Sequence, residues 1–277
     1  HMSIAGGYYK SVQRAADVGC QCVQLFTKNN NQWRAKEITD SDVERFRGAL
    51  GEHGITHPLS HASYLINLAS PDKPLWKKSV DAMVVELQRA DMLGIPYVVV
   101  HPGAYTTSSE ARGIRAIVRA VNEIARQTRG LESICLLETT AGQGSCLGHA
   151  FEQLARMIDG AHDPDRLGVC FDTCHVFAAG YPLGGEKEYR ATMRDFNRLI
   201  GVQQIKAIHL NDSKKECGSR VDRHEHIGKG KLGLEPFRLL MSDPRLNGLP
   251  GLLETPKGPE MLEDVENLAV LRSLVSS

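Results

Sequence analysis

Two groups of positions in this 277-residue chain carry the residue types that bind divalent metal ions. One is the charged stretch RVDRHEHIGKG, Arg220 to Gly230, in which Asp222, His224 and His226 alternate. An extended backbone turns alternate side chains to one face, so the three would point the same way. Taken alone, such a run is more often a solvated surface than a ligand set. The other group consists of the polar residues that close apolar runs: His61, His101, Glu138, Asp172, His209 and Glu254, all six of them zinc- or manganese-ligand types. In FDTCH, His175 follows Asp172 by three residues, near enough to serve the same ion or its neighbour.

These residues act together only if the fold brings them together. Short apolar or β-branched runs read as buried parallel strands: CVQLF (22–26), ITHPLSH (55–61), YVVVH (97–101), ICLLET (134–139), GVCFDT (168–173), IKAIHL (205–210) and GLLET (251–255). Amphipathic stretches of helical length lie between them, such as PLWKKSVDAMVVELQRADMLG and EARGIRAIVRAVNEIARQTRG, each expected to close at its final Gly. No repeat, linker or break in composition divides the chain, so residues 1–277 read as one domain. Strand and helix alternating over this length predict an α/β fold, a (β/α)8 TIM barrel. Only seven strands are found, and HMSIAGGYYK leads directly into a helix-like segment ending at Gly19, so the first strand is expected to be truncated. A doubly wound open sheet is the alternative.

In a barrel the C-terminal strand ends meet at one mouth, where active sites lie. The six strand-end residues would share that space, and the DRHEH loop, after the strand ending at Leu210, opens on the same side. His61, His101, Glu138, Asp172, His175, His209, Asp222, His224 and Glu254 make nine candidate ligands. That is too many for one four-coordinate ion and suits two or three ions sharing a carboxylate. Three divalent ions bring +6 against −4 from Glu138, Asp172, Asp222 and Glu254, which leaves about +2 to attract an anion. Phosphodiester hydrolysis fits this balance, with one ion pair generating hydroxide and another ion stabilising the departing oxygen.

Composition narrows the field. Thirty-three basic residues balance 33 acidic ones, so no global field draws the protein to nucleic acid or an anionic membrane, and any polyanion site must be local. No apolar run approaches a membrane span and no signal segment is seen, so a cytoplasmic, soluble protein is expected. Seven scattered cysteines without a CxxC pair argue against a disulfide framework or a cysteine-rich zinc ribbon.

The stretches FTKNNNQWRA, HASYLINLAS, HPG, ETTAGQGS, FDTCHVFAAGY, HLNDSK, GSRVDRHEHIG and LLETP resemble, in order and spacing, the endonuclease IV family of abasic-site DNA repair enzymes. The likeness covers essentially the whole chain. It implies three zinc ions, with manganese an option at some sites. His61, His101 and Glu138 would hold one; Glu138 would bridge to a second, held also by Asp172, His209 and Glu254; His175, Asp222 and His224 would hold the third. It further implies that a hydroxide on the Glu138 bridge attacks the phosphate 5′ to an abasic nucleotide in duplex DNA. The products would be a 3′-hydroxyl and a 5′-deoxyribose phosphate, released by a monomeric enzyme. Tyr64 and Leu65 match family positions that wedge into the base stack. Arg34, Lys36, Lys214, Lys215, Arg220, Arg223, Lys229 and Lys231 lie on the same loop side as candidate phosphate contacts, and His226 and Glu225 become rim residues.

The chain departs from the family pattern at two places. Asn31 stands where family members insert a basic side chain into DNA, leaving Lys28 or Arg34 to substitute, and the first strand is short. Two other readings compete. A metal-dependent sugar isomerase or epimerase on a related barrel would need neither His175 nor the Asp222/His224 pair. A non-catalytic DNA-binding relative would have no reason to keep all nine ligands.

Overall fold

Alternation within each strand decides what faces the barrel axis. In the computed structural model, which describes residues 1–275, strands and helices follow one another as α1 (Tyr8–Asp17), β1 (Cys22–Leu25), α2 (Asp40–His53), β2 (His57–His61), α3 (Lys73–Leu93), β3 (Tyr97–Val100), α4 (Glu110–Gln127), β4 (Ile134–Glu138), α5 (Phe151–Asp159), β5 (Leu167–Asp172), α6 (Thr173–Ala179), α7 (Glu186–Leu199), β6 (Ile205–His209), β7 (Asp212–Ser213), β8 (His224–Glu225), α8 (Glu235–Met241), β9 (Gly251–Leu252) and α9 (Leu262–Val275). Seven strands form one parallel sheet in the order β1-β2-β3-β4-β5-β6-β9. The ends of this sheet nearly meet: the Met2 amide donates to Gln24 O at 2.8 Å, making a parallel bridge to Leu25, and the His1 amine donates to Leu253 O at 2.8 Å. Residues 1 and 2 thus stand in the eighth place of a TIM barrel. Beneath them the seam leaves a cavity of about 390 Å³ between β1, β9 and α9.

Leu59, Val99, Leu136, Cys170, Ala207 and Leu252 pack against one another inside the barrel, one from each of six strands. The intervening residues, such as Val98, Val100 and Leu137, join the larger core beneath the helices. Two residues after each interior residue, the strand returns to the axis. The residues found there are His61, His101, Glu138, Asp172, His209 and Glu254. An apolar plug therefore forms the floor of a polar mouth.

Helix ends follow local chemistry. Asp72 caps α3 by accepting from the Leu75 amide at 2.7 Å, and Gly94 closes it with a left-handed φ of 76° that a side chain would resist. The next helix ends at Gln127, short of the expected Gly130: Thr128 caps it, its hydroxyl donating to Ile124 O at 2.9 Å, and the left-handed φ of 91° falls on Gly130. GLLET pairs over only Gly251 and Leu252, since β9 has β6 on one side and the seam on the other. The antiparallel β7–β8 pair has no forecast in the sequence, because two-residue strands ten residues apart show no periodicity.

Candidate metal centre

Glu138 sits at the middle of the mouth with no exposed surface. Its Oε2 lies 3.1 Å from His61 Nε2 and 3.0 Å from His101 Nε2, and its Oε1 lies 3.0 Å from His209 Nδ1. The two oxygens thus face different partners. Asp172 divides itself likewise: Oδ1 caps α6 by accepting from the His175 amide at 2.8 Å, while Oδ2 lies 3.6 Å from His209 Nδ1 and 3.7 Å from His224 Nε2. Glu254 Oε2 approaches His209 Nδ1 at 3.4 Å. On the loop side, Asp222 reaches His175 Nε2 at 3.1 Å and His224 Nε2 at 3.3 Å.

Among the described residues, four groups bring their ligand atoms within 4.8 Å of one another: His61, His101 and Glu138; Glu138, Asp172, His209 and Glu254; His175, Asp222 and His224; and Asp172, Cys174 and His224. They overlap, so all nine candidates occupy one continuous centre.

Hydrogen bonds to the far nitrogens assign the histidine tautomers. His61 Nδ1 lies 2.8 Å from Ala62 O, His175 Nδ1 2.9 Å from Thr139 O, and His224 Nδ1 3.2 Å from Glu254 O, so each donates from Nδ1 to a carbonyl and turns Nε2 toward the centre. His209 is turned the other way, with Nε2 2.9 Å from Gln24 Oε1 and Nδ1 facing the carboxylates. One consequence is that the Nε2 atoms of His175 and His224 face each other at 3.4 Å. Two lone pairs at that distance repel unless a cation or proton lies between them, so this donor set fits divalent ions whose ligands are oriented from behind.

The titration of these groups reports the same crowding. Burial works against charge on His61, but the bond and charge of Glu138 prevail and raise its pKa. His175 and His209, also opposed by burial, are held well above the ordinary histidine value by the carboxylates around them. Burial would raise Glu138 and Asp222, yet the imidazoles hold Glu138 well below the usual carboxylate range and Asp222 at about 2. Without metal, protons on the imidazoles balance the carboxylates; divalent ions would replace them.

The candidate DNA contacts surround this mouth. Tyr64 is 56% exposed, with its ring 5.4 Å from that of His61 and 6.0 Å from that of His101, and Leu65 beside it is half-buried. Asn31 and Arg34 are exposed on the neighbouring loop, and Ser63 Oγ ties the two loops by donating to Asn30 O at 2.5 Å. Arg220 and Arg223 are exposed along the DRHEH loop, as is Lys214, whose Nζ lies 4.0 Å from Glu225 Oε2, and Lys229 and Lys231 there pair with Glu266 and Glu216. Lys28 is a correction to the sequence reading. Its Nζ is buried 3.1 Å from Glu86 Oε1 and donates to Gln32 O at 2.9 Å, so it cannot stand in for the missing basic probe; Arg34 remains exposed. His226 turns from the centre toward α9, where its Nδ1 lies 3.1 Å from Asn267 Nδ2.

Sequence reasoning passed over Gln24 and Asn211. Buried Gln24 accepts from His209 and donates to Glu254 Oε1 at 2.6 Å. Asn211 donates to Asp172 Oδ2 at 2.7 Å and accepts from the Glu254 amide at 2.8 Å. A signal for Gln24 was available: it is the one polar residue inside CVQLF, two positions after Cys22 and therefore on the axial face.

Known proteins share this arrangement of chain. The xylose isomerase-like TIM barrel family model matches residues 12–274. The chain is 49% identical to the probable endonuclease 4 of Trichlorobacter lovleyi, covering 99% of this chain and 98% of that protein. It is 50% identical to the probable endonuclease 4 of Geobacter sulfurreducens, covering 99% and 93%. Its backbone superposes on the crystal structure of endonuclease IV from Thermus thermophilus with a TM-score of 0.87 and 36% identity, covering 100% and 97% of the two chains. A D-tagatose 3-epimerase-like protein is similar at a TM-score of 0.75 and 18% identity, a likeness of fold alone.

Proposed function

The chain belongs to the endonuclease IV family within the xylose isomerase-like TIM barrels, and from that membership we propose that it is a DNA repair hydrolase that cuts the phosphodiester 5′ to an abasic site in duplex DNA. It acts as a monomeric, single-domain cytoplasmic enzyme with three zinc ions, manganese serving at some sites, and leaves a 3′-hydroxyl and a 5′-deoxyribose phosphate. Among the described residues no helix is long and apolar enough to cross a membrane.

The observation that carries this reading is the third ligand group. His175, Asp222 and His224 bring their ligand atoms together beside Asp172, a set beyond what a one- or two-ion epimerase needs. His61, His101 and Glu138 would hold one ion, Glu138, Asp172, His209 and Glu254 the second, and His175, Asp222 and His224 the third. When bound, such ions activate water near neutral pH and stabilise charge on the attacked and departing oxygens. Glu138 is the residue on which the catalytic assignment rests: its two oxygens face separate histidines, so it spans the first two sites. Asp172 Oδ2, 3.6 Å from His209 Nδ1 and 3.7 Å from His224 Nε2, would lie between the second group and the third. With three ions bound, the net charge of about +2 left by four carboxylates would favour a phosphate in the mouth.

Substrate choice falls to the rim. An abasic nucleotide leaves the stack more cheaply than a paired one. Tyr64 and Leu65 would fill the space it vacates, and Asn31 and Arg34 would act from the tethered neighbouring loop. Lys214, Arg220 and Arg223 would hold the backbone opposite. The test is a duplex carrying one tetrahydrofuran abasic analogue: zinc-loaded protein should nick it on the 5′ side and spare the undamaged duplex. Equal cutting of both, or no cutting with three metals counted per chain, would sink the proposal.

A further inference from the structure

HLNDSK contributes the ligand His209, but its Asp212 ligates nothing in the four groups and has no basic side chain beside it. Fully buried, its carboxylate accepts hydrogen bonds from four backbone amides. Oδ2 accepts from the amides of Gly228 and Gly230, both at 3.0 Å, and Oδ1 from those of Leu232 at 2.9 Å and Ser213 at 2.7 Å. Three of these donors follow His224 in the loop. Ahead of His224, the same stretch is held by the β7–β8 ladder, which pairs Asp212 with Glu225 and Ser213 with His224, and by the Lys214 amide donating to Arg223 O at 2.9 Å. The Lys231 amide returns to Ser213 O at 2.8 Å. The segment bearing Asp222 and His224 is therefore closed into a ring fastened at Asp212.

The approach is too close for a side chain: a Cβ on Gly230 would lie 2.3 Å from Asp212 Oδ1 and 2.5 Å from Ser213 O. Ahead of Asp222 the loop is tied to α6 by the Gly218 and Arg220 amides, which donate to Phe177 O and Ala178 O at 3.1 and 2.8 Å; the ring at Asp212 holds its other end. The Asp222 side chain is 40% exposed, and its amide meets only Gln143 Oε1 at 3.5 Å. By contrast His175, the third member of its group, is buried on α6.

We infer that Asp212 is a positioning residue for the third cation site: it gathers the loop backbone so that Asp222 and His224 meet His175. This rests on the three-ion reading above. Losing the carboxylate would leave the ligand atoms in place chemically but require binding to order the loop, so affinity falls while the site can still be filled.

The experiment compares wild type, Asp212→Asn and Gly230→Ala, which attack the same contact from opposite sides. Zinc bound per chain is measured against free zinc, and cleavage within residues 214–232 is followed by limited proteolysis. The expected result is that wild type binds three ions, while both variants keep two at wild-type affinity. The third should bind at least tenfold more weakly in each, with faster cleavage of the loop, and saturating zinc should restore the third ion and nicking together. A wild type binding only two ions would overturn the three-ion reading itself. Three ions at unchanged affinity in both variants, or equal weakening of all three, would overturn the role of Asp212. If Asp212→Asn fails to fold, Gly230→Ala decides by the same criteria.

Discussion

Replacing Glu138 by Gln removes a single charge from the point where two ligand groups join. The carboxylate is fully buried, with oxygens 3.0–3.1 Å from His61, His101 and His209. At ~4 Å and an effective dielectric of ~20, one carboxylate attracts one divalent ion by about 8 kcal/mol. If reorganisation cancels half of this, ~4 kcal/mol remains, or about a thousandfold in affinity for each of the two ions it would hold. The metal-free fold should survive, because the Gln amide oxygen can still accept from the imidazoles that contact the carboxylate, leaving no buried carboxylate without a partner. The assay is metal content by mass spectrometry, nicking of the tetrahydrofuran duplex, and thermal unfolding of the metal-free forms. Expected are loss of at least one ion, nicking reduced about a thousandfold, and a metal-free melting curve close to that of wild type. Near-native nicking with a full metal complement would refute the bridging role of Glu138. A collapsed fold would instead show that the carboxylate serves mainly as a structural counter-charge.

Three further outcomes follow from the geometry. Gln24→Leu should weaken zinc at the His209 and Glu254 site by roughly 10–100-fold, as loss of a ligand-orienting partner does, with little effect on ions held elsewhere; uniform weakening in a zinc titration would argue against it. In the metal-free protein, the raised pKa values of His61, His175 and His209 supply stability that is complete below about pH 6.5 and is lost as pH rises through their folded values. Zinc instead requires these imidazoles deprotonated, so the gap between zinc-loaded and metal-free melting temperatures should widen between about pH 6 and 8.5, and a constant or shrinking gap would contradict the proton-for-metal exchange. Lys28→Met should strip buried Glu86 of its cation and cost about 3–5 kcal/mol in urea unfolding; a change under about 1 kcal/mol would show the pair to be dispensable.

Much of this protein was legible as a linear pattern because strands obey a period of two. An apolar residue and a metal-ligand type two positions apart recur as Leu59 and His61, Leu136 and Glu138, Cys170 and Asp172, and Ala207 and His209. A barrel converts that spacing into a floor and a mouth without further information. Helices were as readable, since caps such as Asp72 and Gly94 act over a few residues. What the chain could not declare is anything that depends on neighbours distant in sequence. The turning of His226 toward Asn267, the burial of Lys28 against Glu86, and the closing of the seam by residues 1 and 2 depend on which surfaces meet after folding. The same holds for Asp212, an ordinary polar residue in HLNDSK until the loop eighteen residues later brings its amides round it. Residue types and periodicity determined which candidate ligands this protein carries and which end of the barrel they occupy. Tertiary structure decided how they are shared and oriented, because hydrogen-bond direction and charge overlap exist only between groups already brought within a few ångströms.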